Sequence, residues 1–226
     1  MRGKALLVIG LDLAGSPKRP TGLCVLVGLN AKTKDLFSDE EILAVIVEAH
    51  PDLVAIDAPL HLPPGRSSIH ERNDSHYRPC DLELRRRKIP FFPITLGPMR
   101  GLTERGMRLR ADLEGKGIRA VEMYPGGAQD VWGLPRAARD RKALRRGLGR
   151  LGLKGLRTGC SNHELDAATG ALVGRLFLRG RAEVLGDFES GAIILPRVDS
   201  PPLDRKAPTK SARTVKRVKK TLEDSL

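Results

Sequence analysis

Four acids stand where side chains from separate elements can meet. Asp12 ends the apolar run "LLVIGLD", Asp57 ends "DLVAID", and Glu122 lies close to the end of "IRAVEM". Asp166 belongs to the first turn and a half of a small, apolar helix, "SNHELDAATGALVGRLFLRG". In α/β proteins the carboxyl ends of neighbouring parallel strands line the crevice where ligands bind. Carboxylates gathered there repel one another, so they carry raised pKa values or share a cation. Oxygen donors favour Mg²⁺ or Mn²⁺, and a pair of such ions is the usual basis of phosphodiester hydrolysis by an activated water. His163, three residues before Asp166, shares its helix face as a ligand, a supporting group or a general base. Each residue also has a plainer reading. A strand-end Asp is a common turn former, "EMYP" reads equally as a surface turn, and His163 alone reads as a helix-end donor.

The elements that must position these acids are visible in the pattern. Residues 5–13 and 21–28 read as apolar strands joined by the turn-forming "GSPKRPTG", with a short third strand near 34–37. Ser38 and Glu41 form a capping box for a helix that Pro51 stops. The strand ending at Asp57 follows. Residues 58–100 are proline-dense and read as an insertion or lid over a substrate site. A helix over roughly 102–114 precedes the strand of Glu122, which Pro125 closes, and Pro135 opens a basic helical segment. Ser161 and Glu164 form a second capping box, which accounts for Glu164 without a catalytic role. "GDFESGAIILP" reads as a final turn and short strand.

The chain has 226 residues, 40% hydrophobic and 30% charged, enough for one well-cored domain. Residues 1–196 form that domain and 197–226 a basic, loose tail, within which Val215, Val218 and Leu222 could line one amphipathic helix. The net charge of +13 is concentrated. Residues 134–159 hold nine Lys/Arg against one Asp, and the tail holds nine Lys/Arg against four Asp/Glu. Such a distribution suits a polyanionic partner, nucleic acid above all, although a solvated helix face would look alike. Arg141, Lys142, Arg145 and Arg146 in the basic segment, and Arg85, Arg86 and Arg87 in the insertion, are the candidate backbone contacts. Phe91 and Phe92 either stack on an unpaired strand or belong to the core. The N-terminal apolar run is too short for a signal peptide, and no stretch is long enough to span a membrane. Cys24, Cys80 and Cys160 are odd in number and unpaired in spacing, which fits a reducing, cytoplasmic setting. His70, His76 and Cys80 form a possible but unspecific zinc set.

Taken together, "GLDLAG", "AIDAPL", "VEMYP", "LDAATGAL" and "LGDFESGAIILP" resemble the domain-of-unknown-function 429 family, whose members are described as predicted nucleases with an RNase H-like fold. The resemblance implies a mixed α/β five-stranded sheet in order 3-2-1-4-5, helices on both faces, and a long insertion after strand 4. It places metal-site acids at Asp12, Asp57 and Asp166, with Glu122 typical of this family rather than of ribonucleases H. "HELDAATGAL" is also similar to the final helix of RuvC-type resolvases, in which the position of His163 faces the metals. A resolvase-like enzyme would be expected to form a homodimer. The leading expectation is a nuclease-like hydrolase in which Asp12, Asp57, Asp166 and Glu122 hold two Mg²⁺ or Mn²⁺ ions. The alternatives are a non-catalytic nucleic-acid-binding domain of the same fold, and an ATP-using relative of the sugar-kinase and actin superfamily. The latter needs a second domain that this chain is short for.

Overall fold

The computed structural model describes residues 5–197. The expected amphipathic stretch at Val215, Val218 and Leu222 lies outside the described residues, as does nearly all of the basic tail. The elements in order are β1 (Leu7–Asp12), β2 (Thr21–Val27), β3 (Asn30–Leu36), α1 (Asp39–Ala49), β4 (Leu53–Asp57), α2 (Pro79–Arg86), α3 (Gly97–Glu114), β5 (Ala120–Met123), α4 (Pro125–Val131), α5 (Arg141–Arg150), α6 (Asn162–Leu178), β6 (Ala182–Asp187) and β7 (Gly191–Pro196).

All seven strands join one sheet in the order β3-β2-β1-β4-β5-β7-β6. The first three are antiparallel, and β1, β4, β5 and β7 then run parallel. The expected 3-2-1-4-5 core is therefore present, and the sheet is longer than expected by two strands. The stretch expected as one turn and one strand is a hairpin of β6 and β7. Its turn is tied by Asp187, whose carboxylate accepts the Glu189 and Ser190 backbone N–H groups. Exposed Val184 and Gly186 break the apolar alternation of β6, which hides it in the sequence.

Other boundaries move for local reasons. Helix α3 starts at Gly97 rather than near residue 102, with Pro98 in its first turn, and α2 occupies part of the insertion. The basic helix α5 starts after Asp140, whose side chain accepts the Ala143 N–H, and not at Pro135. Pro125 does more than close β5, because it opens α4. Strand β3 begins at Asn30, ahead of the expected residues 34–37. Both expected capping boxes form, at Ser38–Glu41 and Ser161–Glu164.

The sheet has two apolar faces. One carries Ile9, Leu11, Val25 and Ile56 against Ile42 and Ile46 of α1 and Leu109 and Leu113 of α3. The other carries Val8, Cys24, Leu53 and Ala55 against Ala167, Ala171 and Leu172 of α6. Helix α6 lies unusually close to the strands because glycines leave room for it. A Cβ on Gly10 would stand 2.0 Å from the Ala167 carbonyl oxygen, and one on Gly22 would stand 2.0 Å from that of His163. Both obstacles are backbone and cannot rotate away. Gly10→Ala should therefore cost ~3 kcal/mol of unfolding free energy, read by urea denaturation. A loss below ~0.5 kcal/mol would mean that α6 can lift off the sheet freely.

Candidate active site

The register of the sheet assembles the site. Asp12 pairs with Gly22 on one side and with Asp57 on the other, and Gly22 pairs in turn with Asp35. Directly opposed residues point to the same face of a sheet, so Asp35, Gly22, Asp12 and Asp57 form one row on the α6 side. Gly22 is the gap in that row through which the start of α6 approaches. This contact sets His163 beside Asp12, with Nδ1 to Oδ2 at 2.6 Å. Asp166, one turn further on, is held by Gln129 of α4, whose Nε2 donates to Oδ1 at 2.6 Å. Gln129 also bonds Thr169 of α6 and is 1% exposed.

The electrostatics follow from this crowding. Asp57 is pushed well above the usual carboxylate range, first by burial, then by the charges of Asp12 and Asp166. Burial and the Asp12 charge raise Asp166 to about 7, against the Gln129 amide and the charges of His163 and Arg136. His163 is raised chiefly by its hydrogen bond with Asp12, so it tends to hold a proton toward that acid. Asp35 is also raised, mainly by burial, and accepts the Ser161 hydroxyl at 2.9 Å.

Among the described residues no three His, Cys, Asp or Glu side chains are drawn into a ready ligand set. Asp12 is turned to His163, and Asp166 to Gln129. The donor chemistry nonetheless fits a hard divalent cation. Asp12, Asp57 and Asp166 are oxygen donors on adjoining elements, and two of them favour protons when no cation offsets their mutual repulsion.

Glu122 is not brought into this row. It pairs with Ile56 rather than Asp57, so it points to the opposite face of the sheet. Both of its oxygens are taken there. Arg78 Nη1 donates to Oε2 at 2.6 Å, Arg78 Nη2 to Oε1 at 2.9 Å, and the Leu60 N–H to Oε2 at 2.9 Å. Arg78 also binds both oxygens of Asp81, and all three residues are buried. The expectation of Glu122 as a metal ligand is thus corrected to a buried ionic support beneath the site. The possible zinc set is not assembled either. His70 meets Glu104, His76 meets Thr95, and Cys80 is buried and free.

The basic candidates divide. Arg141, Lys142 and Arg146 are exposed on α5 and Arg145 is half-buried, while Leu144 and Leu148 anchor the helix in the core. In the insertion, Arg87 is committed to Glu183 and Arg86 to Glu83, and Arg85 lies over the Tyr77 ring. Phe91 is half-buried and edge-on to Tyr77, whereas Phe92 is 71% exposed. Gln129, Asp35 and Arg78 join the site without a signal that marks them in the sequence. Gln129 is the one glutamine in the chain, and "RPCD" has an acid three residues after Arg78, which accepts the Arg78 backbone N–H.

A sheet in this order, with acids ending its first and fourth strands and a third on the last helix packed across it, defines an α/β protein of the RNase H-like class. Within that class the chain belongs to the family described as "Protein of unknown function (DUF429)", which matches residues 10–190. Among solved structures, Thermus thermophilus RuvC in complex with a Holliday junction substrate is 15% identical, with a TM-score of 0.47 over 77% of this chain and 96% of that one. A second Thermus thermophilus RuvC structure is also 15% identical, with a TM-score of 0.43 over 77% of this chain and 97% of that one. No curated protein matches the sequence. No helix among the described residues is long and apolar enough to cross a membrane.

Proposed function

We propose that the protein is a nuclease-like phosphodiester hydrolase of nucleic acid, with Asp12, Asp57 and Asp166 as the ligands of two Mg²⁺ or Mn²⁺ ions. The observation that carries this reading is the convergence of three acids from β1, β4 and α6, two of them with pKa values raised by burial and mutual repulsion. Divalent ions in such a site lower the pKa of a bound water and stabilise the leaving oxygen. The chain's own residues supply the rest. Gln129 fixes one oxygen of Asp166 and so aims the other. His163 orients Asp12 through its Nδ1. Arg141, Lys142 and Arg146 hold the nucleic-acid backbone without reading bases, so affinity should fall steeply with salt.

The test is calorimetric titration of Mn²⁺ into the wild-type protein and into Asp12→Asn, with thermal stability recorded alongside. Binding to the wild type that disappears in a still-folded Asp12→Asn is the expected result. No binding to the folded wild type, with or without an oligonucleotide to supply phosphate, would leave a nucleic-acid-binding domain without catalysis.

A further inference from the structure

Asp57 serves a second space besides the row of acids: it forms part of the wall of a cavity of ≈190 Å³. The other walls are mostly apolar, with Met99, Phe91, Phe92 and Tyr124 contributing flat or adaptable surface. Arg78, Asp81 and Glu122 also line the cavity. Four of the Arg78 guanidinium's N–H groups are spent on those two carboxylates. Counting Asp57, three acids line the cavity against one arginine. Arg78 is thereby neutralised and offers a phosphate no spare cation, while the Asp81 and Glu122 oxygens are already engaged. The space suits a neutral, planar ring, and it is too small for a base pair.

The rim is preorganised for such a ring. Tyr124 donates its hydroxyl to the Pro90 carbonyl at 2.6 Å and accepts from Arg136 Nη1 at 3.0 Å. Phe91 is braced edge-on by Tyr77, and Pro90 and Pro93 stiffen the backbone on either side of the phenylalanine pair. Phe92 is 71% exposed, so it adds little to the core, and its free face is available for stacking. A fixed aromatic rim loses little entropy when a ring docks on it.

We infer that this cavity receives a single unstacked nucleobase from the strand whose phosphate lies at Asp12, Asp57 and Asp166. The inference rests on the hydrolase reading above and narrows its substrate to a strand with unpaired nucleotides next to the reacting phosphate. Backbone and base are thereby separated: the strand's charge stays with the cation-binding row and the basic helix, and its ring enters the apolar cavity. Base–aromatic stacking is tolerant of sequence, so the preference is for unpaired structure rather than for a motif.

The experiment compares three probes, with Ca²⁺ replacing Mg²⁺ so that the strand is not cleaved. They are a short oligodeoxycytidine, an abasic oligomer of equal length and charge, and a duplex. Wild-type protein should bind the oligodeoxycytidine about tenfold more tightly than the abasic strand, and more tightly than the duplex. Phe92→Ala should remove that preference without changing Mn²⁺ binding. Met99→Trp, which fills the cavity from within, should do the same. Equal affinity for the base-bearing and abasic strands, a preference for duplex, or a preference that survives both substitutions would overturn the pocket. In each of those outcomes Mn²⁺ binding still reports separately on the hydrolase reading. Absence of both Mn²⁺ binding and oligonucleotide binding would overturn the two together.

Discussion

In EDTA at about pH 8, Asp57→Asn should melt above the wild-type protein, and with saturating Mn²⁺ the order should invert. Asp57 is held well above the usual carboxylate range by burial and by the charges of Asp12 and Asp166. A group whose folded pKa is raised contributes stability that is fully present below its unfolded pKa and lost as pH rises through the folded value. For Asp166, raised to about 7, that loss runs between roughly pH 4 and pH 7. The metal-free wild type should therefore become less stable across this window. Asparagine cannot ionise, so the substitution removes the cost of placing an ionisable acid in this site and should gain ~1–3 kcal/mol near pH 8. In Mn²⁺ the wild type alone gains the binding free energy of the ion. Hydrolysis should fall by roughly three orders of magnitude or more. Melting curves of both proteins, in EDTA and in Mn²⁺, at a pH below and a pH above the window, check every part of this. A clear loss of stability for Asp57→Asn in EDTA would instead make Asp57 a structural acid.

The acids at Asp12, Asp57 and Asp166 were legible because their signals are local. A strand that runs out on a carboxylate and a helix opened by Ser161 and Glu164 can be seen within a few residues. The approach of α6 to the sheet was half-legible. Its small residues announced close packing, but Gly10 and Gly22, which make room on the strands, looked like ordinary glycines. Glu122 shows what local reading cannot supply. It too lies near the end of a strand, yet the register of β5 against β4 sets it opposite Ile56, and a difference of one residue moves a side chain to the other face. Arg78, which accepts that role as its partner, is 44 residues away in the chain. Gln129 was invisible for the same reason, since its link to Asp166 joins two helices through tertiary packing.

The contrast between the two kinds of acid yields the remaining large effect. Glu122→Gln should cost about 3–5 kcal/mol of unfolding free energy, the usual consequence of breaking one side of a buried ion pair. Glu122 and Arg78 are 5% and 2% exposed, so water cannot replace the lost partner. The glutamine amide keeps one acceptor oxygen for Arg78 or for the Leu60 N–H, but not for both with the original geometry. Asp81 remains on Arg78, which limits the damage to one of the two carboxylates. Because Glu122 points to the other face of the sheet and its charge acts on Asp57 less than those of Asp12 and Asp166, Mn²⁺ affinity should stay within about threefold of wild type once the variant is folded. Asp12→Asn should behave in the reverse way, losing the ion while keeping the fold. Urea denaturation and calorimetry on the two variants separate support from ligand. A folded Glu122→Gln whose Mn²⁺ affinity drops tenfold or more would return Glu122 to the metal site, and would require β5 to present its acid to the same face as Asp57 in the ion-bound protein.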